Sequence, residues 1–100
     1  MKVIKPVRIA EYGQKYARSR KALDGWLKTA QKAKWRNFLE MRATWNSADQ
    51  VAVASGRRVF VFNIGSARLI TAVHFNTGHL YVLRFLTHAD YDKNKWKSEL

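Results

Sequence analysis

From Arg58 to Leu86 the chain reads as three strand-length runs joined by two glycine-bearing turns. That meander restricts the possible folds more than anything else in the 100 residues. Val59-Phe60-Val61-Phe62 is a β-branched and aromatic run, and Gly65-Ser66 after it has the glycine-first form of a two-residue hairpin turn. Arg68 to Phe75 is the next strand and Asn76-Thr77-Gly78 the second turn. The third strand runs from about Leu80 to Leu86. Connections this short hold successive strands antiparallel.

Helices precede the meander. Met1 to Lys5 alternates enough for a short first strand, and Pro6 suits the first turn of a helix carrying Ile9, Tyr12, Gly13 and Tyr16. A second helix is capped by Ser19 and carries Leu23, Trp26, Leu27 and Ala30 at i, i+3, i+4 and i+7. Its other faces hold Arg20, Lys21, Lys28, Lys32 and Lys34, so the pair reads as a helical hairpin with one apolar stripe and a basic outside. Phe38, Leu39, Met41 and Trp45 fit a short helix after Asn37. Asn46 to Gln50 reads as a loop, and Val51 to Gly56 stays open between a strand and a buried turn. The expected class is α+β, with N-terminal helices packed on a small antiparallel sheet in one domain over residues 1–100. A chain of this length hides roughly two-thirds of its unfolded surface, enough for one core. Trp26, Trp35 and Trp45 are expected in that core; Trp96 lies in a basic tail to which no role is assigned.

Nineteen Lys and Arg stand against seven Asp and Glu, a net charge of +12. Such an excess points to a polyanionic partner bound with strong salt dependence. Charge alone leaves an acidic protein open beside RNA. An anionic membrane is the weaker reading, because no basic amphipathic helix shows an aromatic insertion edge. No apolar run approaches the ~20 residues of a membrane helix. The opening Met1-Lys-Val-Ile-Lys-Pro6 does not resemble a signal peptide. With no Cys, neither a disulfide nor a thiolate metal site can form, which is compatible with the cytosol.

Arg68, Arg84, His88 and Tyr91 are the groups suited to hold a phosphodiester and move protons on it. Alternation puts Leu69, Thr71, Val73 and Phe75 on one face of the middle strand. In the last strand it puts Arg84 among Leu80, Val82 and Leu86, where it interrupts an apolar face. An ion pair with a carboxylate is the ordinary explanation for such an arginine. A phosphate gripped by the guanidinium fork is the alternative. His88 follows the last strand in Thr87-His-Ala-Asp-Tyr-Asp92. It suits general acid or base work near neutrality. Tyr91 can orient a nucleophile, donate a proton or stack on a base. Taken singly, His88 also reads as a polar turn residue and Tyr91 as a packing aromatic. His74 and His79 flank the second turn as surface residues. The three His lack a tight metal-ligand pattern, the Ser residues have no positioned base, and the scattered Gly residues form no phosphate loop.

Several segments together resemble the HigB-type toxins of bacterial toxin–antitoxin pairs. They are Val61-Phe-Asn-Ile64, Arg68-Leu-Ile70, Tyr81-Val-Leu-Arg84-Phe85 and Thr87-His-Ala-Asp-Tyr-Asp92, with Trp26-Leu, Ala33-Lys-Trp35-Arg and Ser47-Ala-Asp49 ahead of them. The likeness implies a RelE-like fold and metal-independent, cofactor-free cleavage of mRNA on the translating ribosome of the bacterial cytoplasm. It also implies neutralisation by a helix-turn-helix antitoxin, HigA, with operator DNA reached only through that complex. Carried over by position, Asn63, Arg68, Arg84, His88 and Tyr91 would form the site, with Arg68, Arg84, His88 and Tyr91 catalytic and Asn63 binding RNA. The basic Arg58 and Lys93 are expected to bind RNA as well. The family usually has a longer turn with Lys and Asn after Asn-Ile; Gly65-Ser66-Ala67 is shorter and lacks the basic residue. A non-catalytic RNA- or ribosome-binding module would share the composition. So would an inactive relative acting as co-repressor with its antitoxin.

Overall fold

A computed structural model describes all of residues 1–100. The elements run β1 (Lys2–Ile4), α1 (Val7–Lys15), α2 (Arg20–Lys32), α3 (Phe38–Thr44), β2 (Asp49–Ala52), β3 (Arg58–Ile64), β4 (Ala67–His74), β5 (His79–Leu86), α4 (His88–Asp92) and α5 (Lys95–Glu99). The α+β class is as expected. The sheet order is β1-β5-β4-β3-β2.

The meander forms as read. Gly65 takes φ 60 at the first turn position while Ser66 keeps an ordinary negative φ, so Ile64 pairs with Ala67 and Asn63 with Arg68. The sheet is not antiparallel throughout, however. β1 pairs parallel with β5, Val3 beside Leu80. Helices and strands intervene between the two, and only a connection of that length lets the chain return in the same direction. β2 also starts earlier than expected: Asp49 and Gln50 pair with Val61 and Phe60 instead of lying in a loop.

One face of the sheet carries the larger core. The α2 stripe buries Leu23, Trp26 and Ala30, and Trp26 meets Phe62 edge-on at 5.3 Å. Trp35 is buried and Trp45 half-buried around the same Phe62 ring, as their positions suggest. α1 adds Ile9 and lays Tyr12 against Phe85, and Tyr16, just past its C-terminal end, packs on the same ring. Asn37 caps α3, its side-chain oxygen accepting from Glu40 N–H at 2.9 Å. Ser19 stands at the start of α2 without making a capping bond; a 3₁₀ turn, Ala17–Ser19, leads directly into the helix.

The other face is covered in part by the C-terminal segment, whose basic sequence carries no local sign of such a role. α4 and α5 fold back over it, and Trp96 is buried against a second cluster of Val53, Val59, Val61 and Ile70. Lys97 O accepts from Ala54 N–H at 3.0 Å, which fixes α5 to the loop after β2. No helix is long and apolar enough to cross a membrane.

Candidate active site

Strand β5 contains a bulge. Arg84 pairs with Ile70, but the next pair is Val82 with Thr71, so Leu83 is an extra residue. One inserted residue reverses the faces of everything beyond it. Val82 and Phe85 therefore point into the large core, while Arg84 and Leu86 point to the opposite face. This corrects the simple alternation, which set Arg84 among Leu80, Val82 and Leu86 on one face. Arg84 shares its face with Arg68 instead, as its diagonal neighbour across the β4–β5 pair. Diagonal neighbours stand about 7–8 Å apart at the backbone, close enough for two long side chains to serve one anion.

Neither arginine has a carboxylate partner. The ion pairs of the chain are Arg36–Glu40, His88–Asp92 and Lys93–Asp90. Arg68 donates from Nη1 to Ala67 O at 3.0 Å, and Arg84 from Nη1 to Leu83 O at 2.8 Å. Each is half-buried on the sheet, steadied by one carbonyl, with the rest of its N–H fork uncommitted.

α4 is set by its own sequence. Thr87 Oγ1 accepts from Asp90 N–H at 3.2 Å, and the acidic residue three positions on completes a capping pattern. His88 and Tyr91 then lie i, i+3 on the helix, neighbours on its surface. Tyr91 is half-buried, with the Arg68 guanidinium 5.8 Å from its ring centre. Burial pushes its phenol above the ordinary range; Asp49 adds to this, and Arg68 opposes it. His88 is exposed, with Nε2 at 3.1 Å from Asp92 Oδ2.

Of the remaining residues, Asn63 is brought in: it is half-buried and directly opposite Arg68. Lys93 closes α4 and borders a cleft of about 280 Å³ with Leu86 and Trp96. Arg58 is kept apart. It begins β3 at the far end of the sheet, exposed and 3.5 Å from Gln50 Oε1, on the alternate face from Asn63. Two further residues shape the site without having been singled out. Asp49 faces it from β2, and Trp96 stacks on Tyr91. An aromatic residue in a tail is the one local signal that pointed to Trp96; nothing local pointed to Asp49.

Two guanidiniums with open N–H groups, a phenol held neutral and an imidazole braced by a carboxylate can together bind a phosphodiester and shift its protons. A family model described as HigB toxin, RelE-like toxic component of a toxin–antitoxin system, matches residues 19–94. No curated protein matches the chain.

Proposed function

The chain belongs to the HigB family, RelE-like toxic components of toxin–antitoxin systems, and on that premise we propose that it is a single-domain mRNA endonuclease. It acts in the bacterial cytoplasm on the translating ribosome, needs no metal, and is neutralised by a HigA-type antitoxin. The observation that carries this reading is the pair Arg68 and Arg84, on one sheet face beside Tyr91 and without a carboxylate partner.

The chemistry is attack by an RNA 2′-OH on the adjacent phosphorus. The P–O5′ bond breaks, leaving a 2′,3′-cyclic phosphate and a 5′-hydroxyl. DNA lacks the nucleophile and is not a substrate. Arg68 and Arg84 bind the charge that builds on the non-bridging oxygens. His88 accepts the 2′-OH proton: with its Nε2 turned to Asp92, Nδ1 is the nitrogen left to act as base. Tyr91, held as the neutral phenol by burial, donates to the departing O5′. Asn63 hydrogen-bonds the strand from beside Arg68, and Lys93 adds charge at the margin. Arg58, at the far end of β3, contributes only to the outer electrostatic field. The ribosome presents the RNA in reactive geometry, which lowers the entropic part of the barrier.

Induced expression of wild type and of a His88→Ala, Tyr91→Ala double variant, with mRNA 5′ ends mapped, tests this. New in-frame ends and growth arrest are expected from wild type alone. Arrest without new ends would replace cleavage by ribosome or RNA binding, and full activity of the double variant would displace the proposed acid and base.

A further inference from the structure

The C-terminal segment covers only part of the second sheet face. Beyond its reach Tyr81 stands 39% exposed on β5, one of the few large apolar side chains left open to solvent. His74 meets its ring edge-on at 5.5 Å, and Ala72 pairs with it across the strands. Tyr81 borders two clefts. One, of about 260 Å³, is lined with Arg57 and His74. The other, of about 230 Å³, is lined with Lys5 and Arg8. No carboxylate lines either, and none of these cations forms an ion pair. Arg8 is steadied by Val82 O at 2.9 Å.

An aromatic ring on an open sheet surface, with cations on both sides and no acid, matches a ligand that is flat, π-rich and negatively charged. A nucleotide of single-stranded RNA has all three properties, and sheet-borne aromatics are a general way of holding one. The position suits such a strand. From Ala72, the partner of Tyr81, to Arg68 is four residues along β4, about 13 Å at ~3.3 Å per residue. One short oligonucleotide can reach from one to the other over Arg84.

We propose that Tyr81, with His74 and Arg57, forms a base-stacking subsite for single-stranded RNA, holding a nucleotide that flanks the one gripped by Arg68 and Arg84. The assignment rests on the ribonuclease reading only for the neighbouring nucleotide at Arg68 and Arg84, not for the stacking at Tyr81.

A uniformly 2′-O-methylated oligoribonucleotide, which cannot be cleaved by its own 2′-OH, is the probe. Its binding is read by fluorescence anisotropy at low salt for wild type, Tyr81→Ala and Tyr81→Phe, with melting curves for each. Stacking predicts that Tyr81→Ala weakens binding by about 5- to 150-fold. Tyr81→Phe keeps it within about twofold of wild type, as the ring face alone is needed. Unchanged binding in Tyr81→Ala overturns the subsite, as does equal loss in Tyr81→Phe, which would make the hydroxyl the contact. A wild type that ignores this RNA but binds an acidic peptide overturns it in favour of a protein partner. The two readings fail separately. A Tyr81 effect on binding with no cleavage of translated mRNA by wild type leaves the subsite and removes the nuclease. Cleavage with no Tyr81 effect on binding does the reverse.

Discussion

Trp96 lies nearly flat against Tyr91, ring centroids 5.3 Å apart and planes 18° from parallel, while its indole N–H donates to Tyr91 O at 3.0 Å. One residue of α5 thus holds both the ring and the backbone of a residue proposed to carry a proton. Residues 95–100 lie outside the stretch matched to the family, so this brace comes from beyond that stretch. Trp96→Ala should lower unfolding free energy by about 3–5 kcal/mol, the usual cost of emptying a buried tryptophan site. Trp96→Phe should lose much less, including about 1 kcal/mol for the hydrogen bond. Urea denaturation of the two variants checks the order. A small loss in Trp96→Ala would mean that α5 does not stay docked in solution.

Arg84 has no acidic partner, so its removal breaks no ion pair. Arg84→Gln is expected to leave unfolding free energy within about 1 kcal/mol of wild type. Cleavage of translated mRNA should fall by about 10²- to 10³-fold, the scale of losing one charge-stabilising donor. Denaturation midpoints and primer-extension yields separate the two effects. Equal losses in stability and cleavage would make Arg84 a structural residue.

Tyr91 links stability to alkaline pH. Burial, and secondarily Asp49, raise its phenol above the ordinary value of 10.0. The folded state therefore holds the proton more tightly than the unfolded chain. That contribution is fully present below the unfolded pKa of about 10 and is lost as pH rises through the folded value. Tyr91→Phe should flatten this segment of the stability profile relative to wild type. Chemical denaturation at a series of pH values upward from 9 reads the difference; parallel profiles would show that the phenol is not buried in solution.

Leu83 is the extra residue of β5. Deleting it makes Val82 and Arg84 consecutive, and ordinary alternation then keeps them on the opposite faces they already occupy, each beside its present β4 partner. Leu83→Ala keeps the extra residue and loses only its side chain. The deletion should therefore melt close to the alanine variant, within about 4–8 °C, the shift that each kcal/mol produces in a domain of this size. Calorimetry on both variants decides it, and a much lower melting temperature for the deletion would mean that the bend and twist of the bulge are themselves needed to seat the strand.

The elements that could be read from sequence are those whose cause is local. The α2 stripe, the Asn37 cap, the glycine-first turn at Gly65 and the Thr87 segment each declare themselves within a few residues. The parallel pairing of Val3 with Leu80 has no local mark, because it depends on everything between them. The bulge was hidden for another reason. Leu83 is a good strand residue, so alternation ran through it undisturbed and placed Arg84 on the wrong face. Arg68 and Tyr91 stand out by chemical type and Asn63 by resemblance, and their proximity follows from hairpin register and a helix cap. Arg58 was nominated alongside them, though strand length alone carries it to the far end of β3. Trp96 escaped because a tryptophan between lysines looks like solvent-exposed tail until there is a sheet face for it to cover.

The hairpin at Gly65-Ser66 bears on how fast such a site can work. Asn63 and Arg68 sit one residue back from a turn too tight to fold over them, so no flap from this side has to open or close. In the proposed nuclease, arrival of RNA and escape of its fragments would then need no microsecond-to-millisecond motion of this hairpin. Selectivity has to come from whatever delivers the strand, because an uncovered groove of two arginines offers little means of refusing one.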